Sequence, residues 1–177
     1  VKIGILSDSH GKSSLLVRGL DLLTDAAAEA IVHCGDIENV DGIKLLGDSG
    51  LPVYLAAGNM DISNFLRLQA TADSCGVIFA ADFVTVPLDD GNGNGADKDK
   101  QYLAATHGND KLLLDELVRD GQYHYVCYGH THRPSDKHIS STRVLNPGAL
   151  FSPRGGNGRT VMLLDTDTDI VKIIAVD

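Results

Sequence analysis

Apolar residues along this chain fall into short runs, each stopping at a polar loop that contains glycine. Between the runs, apolar residues recur at helical spacing. The first run, Lys2 to Leu6 (K-I-G-I-L), has the unbroken apolar character of a buried strand and ends in Ser7-Asp8-Ser9-His10-Gly11. Leu15, Leu16, Leu20 and Leu23 follow on one helical face, with Ser13 or Ser14 as the expected N-cap. Ala30 to Cys34 predicts a second strand, ending in Gly35-Asp36, and Val40 to Leu46 a short helix. Pro52 to Ala57 predicts a third strand, ending in Gly58-Asn59-Met60-Asp61, followed by a helix from about Ser63 to Asp73. Strand, polar loop and helix, three times over, predict a parallel sheet of βαβ units.

The second half changes rhythm. Val77 to Phe79 and Phe83 to Leu88 predict short strands, and the glycine- and charge-rich residues 89–100 a flexible hairpin tip. Tyr102 to Thr106 predicts a strand ending in His107-Gly108, and Lys111 to Arg119 a helix stopping near Gly121. Tyr125 to Tyr128 is another strand-like run, ending in Gly129-His130-Thr131-His132. The tail predicts antiparallel strands at Lys137 to Ile139, Arg143 to Leu145, Thr160 to Asp165 and Ile170 to Val176. No repeat or linker divides residues 1–177, so a single α/β domain is expected. Two mixed β-sheets face to face with helices outside would bury all these strands.

Composition narrows the function. With 43% hydrophobic and 22% charged residues, the chain has the balance of a soluble globular protein. No apolar run approaches the roughly 20 residues of a membrane span, and no signal peptide is visible, so a cytoplasmic protein is expected. Of the three cysteines, Cys34 and Cys127 sit in strand-like runs and read as buried, reduced thiols. The net charge of −9 argues against nucleic-acid or membrane binding. It leaves phosphate esters open, because bound cations can dominate the field inside a pocket.

Metal-ligating side chains end five of the predicted strands: Asp8 and His10, Asp36, Asn59, His107, then His130 and His132. Ligand sites in α/β sheets lie beyond the carboxyl ends of the strands. If extended geometry carries past Gly129, residues i and i+2 point to one side, and His130 and His132 face one pocket. Two carboxylates, one amide and four imidazoles exceed the roughly four ligands of one tetrahedral site. They suffice for two ions if one carboxylate bridges. Nitrogen and oxygen donors without thiolate favour manganese, iron, zinc or nickel.

The ordered set D-S-H, G-D, G-N-M-D, H-G and G-H-T-H resembles the calcineurin-like metallophosphoesterases. The similarity is greatest to their small bacterial and archaeal phosphodiesterases, which share their fold with a retromer subunit. It spans essentially the whole chain, including the Asn146-Pro147-Gly148-Ala149 loop and the Pro153-Arg154 pair. It implies a four-layer αββα sandwich. It implies a first ion on Asp8, His10, Asp36 and His132, and a second on Asp36, Asn59, His107 and His130, with Asp36 bridging. Asp36, Asn59 and His107 would form the catalytic centre, with a hydroxide held between the ions as nucleophile. The cofactors implied are two divalent ions, manganese foremost, with nickel, iron or zinc as alternatives. A small phosphoester would be the substrate. A phosphomonoesterase and a non-catalytic interaction subunit are the competing functions; such a subunit is expected to lose a histidine or the asparagine, and this chain keeps all seven positions.

Many members carry G-N-H-[DE], whose histidine serves the phosphate or the leaving group. Met60 stands there in this chain and cannot transfer a proton. Asn39, Arg133 and Asn146 are candidate substrate contacts. Asp61 is expected either to orient a ligand histidine or to cap a helix. Arg154 reads as exposed, His33 as a packed or hydrogen-bonded histidine, and His124 and His138 as bystanders. A homo-oligomer is compatible with the sequence.

Overall fold

The computed structural model describes residues 1–88 and 102–177, so the predicted hairpin tip at residues 89–100 lies outside the described residues. The strands are β1 (Lys2–Leu6), β2 (Ala30–His33), β3 (Val53–Ala56), β4 (Ile78–Ala80), β5 (Phe83–Pro87), β6 (Tyr102–Thr106), β7 (Tyr123–Cys127), β8 (Ser135–Ile139), β9 (Thr142–Asn146), β10 (Thr160–Asp165) and β11 (Ile170–Ala175). The helices are α1 (Ser13–Asp25), α2 (Val40–Gly47), α3 (Phe65–Cys75) and α4 (Lys111–Arg119). One sheet runs β11-β10-β1-β2-β3-β4 and the other β5-β6-β7-β9-β8.

Period-two alternation on strands buried on both faces builds the layers. Ile3, Ile5, Val32 and Cys34 from the first sheet meet Leu103, Ala105, Cys127 and Leu145 from the second, forming the core between the sheets. Ile31, Leu55 and Val161 point the other way and pack with Leu16, Leu20, Ile43, Leu46 and Leu68 of α1, α2 and α3. On the far side, Ala104, Val126 and Val144 pack with Leu117 and Val118 of α4. The result is the helix–sheet–sheet–helix sandwich that the resemblance implied.

Two local expectations change. Neither Ser13 nor Ser14 caps α1. The chain enters that helix through Lys12, whose amide donates to the Ser9 carbonyl at 2.9 Å, and no side chain caps it. The tail is not wholly antiparallel either. β8 and β9 pair antiparallel and so do β10 and β11, but β9 runs parallel to β7. That parallel pairing brings the carboxyl ends of β6, β7 and β9 to one edge of the second sheet. There they face the carboxyl ends of β1, β2 and β3. No helix among the described residues is long and apolar enough to cross a membrane.

Candidate metal centre

The loops leaving β1, β2 and β7 turn through the left-handed backbone region at their ligand candidates. Asp8 (φ 53°), His10 (φ 45°), Asp36 (φ 57°), His130 (φ 61°) and His132 (φ 58°) all have positive φ, as does Glu38 (φ 66°). Such a conformation costs a non-glycine residue about 1–2 kcal/mol, and it persists only where surrounding contacts dictate it. Those contacts continue the strand ladder past the strands. The Asp8 amide donates to the Gly35 carbonyl at 3.0 Å and the His10 amide to the Asp36 carbonyl at 2.9 Å. The His130 amide donates across the sheets to Asp8 Oδ2 at 3.1 Å. Gly129 makes that approach possible: a Cβ there would fall on the Ser7 hydroxyl and the Asp8 carboxylate.

The left-handed turns separate His130 from His132, so extended geometry does not carry past Gly129. His132 Nε2 lies 3.2 Å from Asp8 Oδ1 and 3.4 Å from His10 Nε2. His130 Nδ1 lies 3.3 Å from His107 Nε2. Asp8, His10 and His132 gather in one cluster, and Asp8, Asp36 and His107 in a second, each with ligand atoms within 4.8 Å of one another. Asp36 Oδ2 sits between them, 3.8 Å from His10 Nε2 and 3.3 Å from His107 Nε2. Asn59 Oδ1 reaches His107 Nε2 at 3.1 Å. All seven ligand candidates are thus brought together.

The donor chemistry fits divalent cations. Glu38 Oε1 accepts from His10 Nδ1 at 2.6 Å, the Ser152 carbonyl from His132 Nδ1 at 2.7 Å, and the Cys34 carbonyl from His107 Nδ1 at 2.8 Å. Each acceptor can only receive a proton, so each Nδ1 carries one and each Nε2 of a neutral ring presents a lone pair inward. His10 and His132 therefore aim two lone pairs at each other. Asp8 Oδ1 is fully buried beside them without a hydrogen-bond partner among the described residues. Converging lone pairs repel one another, and a cation among them removes that cost.

The remaining polar residues hold the loops. Asp61, fully buried, accepts the amides of Asp36 (2.9 Å), Ile37 (3.3 Å) and Gly58 (2.7 Å) on Oδ2 and that of Glu38 (2.7 Å) on Oδ1. It neither orients a histidine nor caps a helix through its side chain. Asn39 caps α2, accepting from the Gly42 amide at 2.8 Å, and its Nδ2 donates to the Gly11 carbonyl at 3.4 Å. Asn146 is 0% exposed, so it cannot reach a substrate. Instead, its Nδ2 donates to the Gly129 carbonyl (2.8 Å) and Thr131 Oγ1 (3.1 Å), and its Oδ1 accepts from the Gly148 amide. It fixes the loop that carries both histidines. His33 is fully buried and accepts the Gly35 amide on Nδ1, which leaves Nε2–H to donate to the Ser9 hydroxyl. Burial, then the His107 charge, pushes its pKa down to about 3, so it stays neutral.

Sequence reasoning missed Glu38, Phe151 and the setting of Arg154. The spacing of Glu38 two residues after Asp36 repeats the Asp8–His10 spacing, which was a usable signal. Phe151 packs edge-on against the His10 ring at 5.9 Å. Arg154 is exposed, as expected, but with Arg133, Lys137 and His130 it lines an open cleft of about 610 Å³. Met60 is 50% exposed, and its amide donates to Asp36 Oδ1 at 2.9 Å.

Charge couples the cluster to pH. Burial pushes His107 down, but its hydrogen bond and charge interaction with Asp36, the Asp8 charge and the Cys34 carbonyl together lift it above the usual 6.5. Without metal, a proton on Nε2 occupies the place of the cation. Metal binding must release it, so affinity falls as pH drops below the raised His107 value, about tenfold per pH unit for one proton. Calorimetric titrations at pH 6, 7 and 8 in buffers of different ionisation enthalpy check this. Proton release at pH 6 is expected, and its absence would show the site already deprotonated.

Residues 1–169 match the family model described as the calcineurin-like phosphoesterase superfamily domain. The chain is 27% identical to the phosphodiesterase MJ0936 of Methanocaldococcus jannaschii over 94% of each chain. It is 26% identical to the phosphodiesterase YfcE of Escherichia coli K12, covering 100% of this chain and 93% of that one. A solved structure described as a novel archaeal phosphodiesterase superimposes with a TM-score of 0.81 at 27% identity, covering 98% of this chain and 99% of the other.

Proposed function

We propose, from the premise that this chain belongs to the calcineurin-like phosphoesterase superfamily, that it is a metal-dependent phosphodiesterase hydrolysing small phosphodiesters. The convergence of lone pairs from His10, His132, His107 and the orphaned Asp8 Oδ1 carries this reading, because a divalent cation among them removes their mutual repulsion. Asp8, His10, Asp36 and His132 would hold one divalent ion, and Asp36, Asn59, His107 and His130 another, with Asp36 in both sets. The position of Asp36 Oδ2 between His10 and His107 supports the sharing. Manganese is the first choice for these nitrogen and oxygen donors, with nickel, iron or zinc as alternatives.

Bound divalent ions supply Lewis acidity toward a phosphoryl oxygen and lower the pKa of water from 15.7 to roughly 7. The chain's own residues do the positioning. Glu38, Ser152 and Cys34 fix the tautomers of three ligand histidines. Asp61 sets the Asp36 and Gly58 loops, and Phe151 walls one side of His10. Arg133 and Arg154 lie beside His130 and line the cleft that opens there.

The test is hydrolysis of an aryl phosphodiester and the matching monoester by protein reconstituted with manganese, nickel, zinc or magnesium in turn. Faster diester turnover, dependent on metal and lost in Asp36→Asn, is expected. No hydrolysis with any metal would refute the proposal. Met60 adds a second expectation. A general acid typically contributes about 10²–10⁴-fold, and the Met60 thioether cannot act as one. The log rate should therefore fall steeply with leaving-group pKa across aryl and alkyl diesters in single-turnover assays. A shallow slope, with chemistry rate-limiting, would mean that another residue supplies the proton.

A further inference from the structure

The cleft that opens beside His130 is basic in an acidic protein. Arg133, Lys137 and Arg154 line it, together with Tyr128, Pro134 and Ser135, and no carboxylate lines it. The chain as a whole carries a net charge of −9, so three cations on one cleft are not an average sample of its surface. Among the described residues none of the three has an ion-pair partner, whereas the neighbouring Arg143 is held by Asp136 and Asp169. Their placement is tied to the metal cluster. Arg133 follows the ligand His132 directly, and the Arg154 amide donates to the His132 carbonyl at 3.0 Å. The Arg133 side chain lies over Gly155, where a Cβ would stand 3.2 Å from its Nε. Tyr128 and Pro134 give the cleft apolar surface between the cations.

The geometry points to a substrate with a second anionic group: a phosphodiester whose non-leaving arm ends in a carboxylate or a phosphate that sits among Arg133, Lys137 and Arg154. This inference rests on the phosphodiesterase reading and extends it from the reacting centre to the arm of the ester. One phosphodiester charge is satisfied at the ligand cluster. A cleft with three further cations and no anion is matched by an additional charge on the substrate, and unpaired cations in a walled cleft attract anions more strongly than the same charges on open surface. Uniform binding of this kind acts on KM and leaves kcat largely alone.

The experiment compares three 4-nitrophenyl phosphodiesters that share the leaving group. Their second arms are propyl, 2-carboxyethyl and 2-phosphoethyl. With manganese-loaded protein in low salt, at least one anionic arm should raise kcat/KM about tenfold over propyl, mainly through KM. The arm that gains more identifies the group as carboxylate or phosphate. The preference should shrink with added salt. It should also fall in an Arg133→Gln/Lys137→Gln variant whose melting temperature is unchanged, since both side chains are exposed. Equal or better kcat/KM for the propyl ester, with all three hydrolysed, overturns this inference and leaves the phosphodiesterase reading standing. Hydrolysis of none of the three with manganese, nickel, zinc or magnesium overturns both.

Discussion

Replacing Asp8 with Asn is expected to stabilise the metal-free protein and to weaken its response to metal. Asp8 is 0% exposed, and its Oδ1 has no partner among the described residues. Burial pushes the carboxyl above its usual 3.8, and the Asp36 charge adds to this, against the Ser7 hydroxyl and the His107 and His132 charges. A raised carboxyl pKa contributes stability only at low pH, and that contribution is lost as pH rises through the folded value. The ionised Asp8 therefore works against the metal-free fold at neutral pH. In Asp8→Asn, Oδ1 can keep the His130 amide and Nδ2 can donate to His132 Nε2, which lies 3.2 Å from the present Oδ1. Removing a buried charge whose Oδ1 has no partner should gain about 1–3 kcal/mol, or about 5 °C in melting temperature. Asp8 belongs to the first ion's set, so that ion's affinity should fall by at least about 100-fold. Melting curves with and without manganese check both halves. A metal-free variant that melts below wild type, or gains as much stability from manganese as wild type does, would contradict them.

Asp61→Ala is expected to do the reverse and unsettle the fold at the site. Four backbone amides from the loops after β2 and β3 converge on this buried carboxylate. Each buried N–H left unpaired costs about 1–3 kcal/mol, so even with relaxation the loss should reach about 3 kcal/mol. The loops released carry Asp36 and Asn59, so metal affinity falls with stability. Asp61→Asn should cost less. Its carbonyl can take the three amides now on Oδ2, and only the Glu38 amide would face another donor. Denaturant unfolding of the two variants orders them. Equal losses would mean that packing, not amide acceptance, is the contribution of Asp61.

These two aspartates also show what the sequence could and could not disclose. Strand positions were legible because strands buried on both faces read as unbroken apolar runs, and predicted ends differ from observed ones by a residue or two. Candidate ligands were legible because they end those runs. The turns that aim them were not. Asp36 is held left-handed by contacts with Asp61, and His10 is oriented by Glu38 some 28 residues away. Nothing local in D-S-H or G-H-T-H encodes such partners. The same holds for Asn146, a candidate substrate contact in sequence but a buried brace for the His130 loop in space. Asn39 likewise spends its side chain on α2 and the His10 loop.

The most direct measurement is anomalous diffraction from crystals of manganese-loaded protein. It should show two manganese peaks per chain. One should lie among Asp8, His10, Asp36 and His132, the other among Asp36, Asn59, His107 and His130, with Asp36 touching both. A single peak at full occupancy, or peaks away from these residues, would contradict the shared two-ion site.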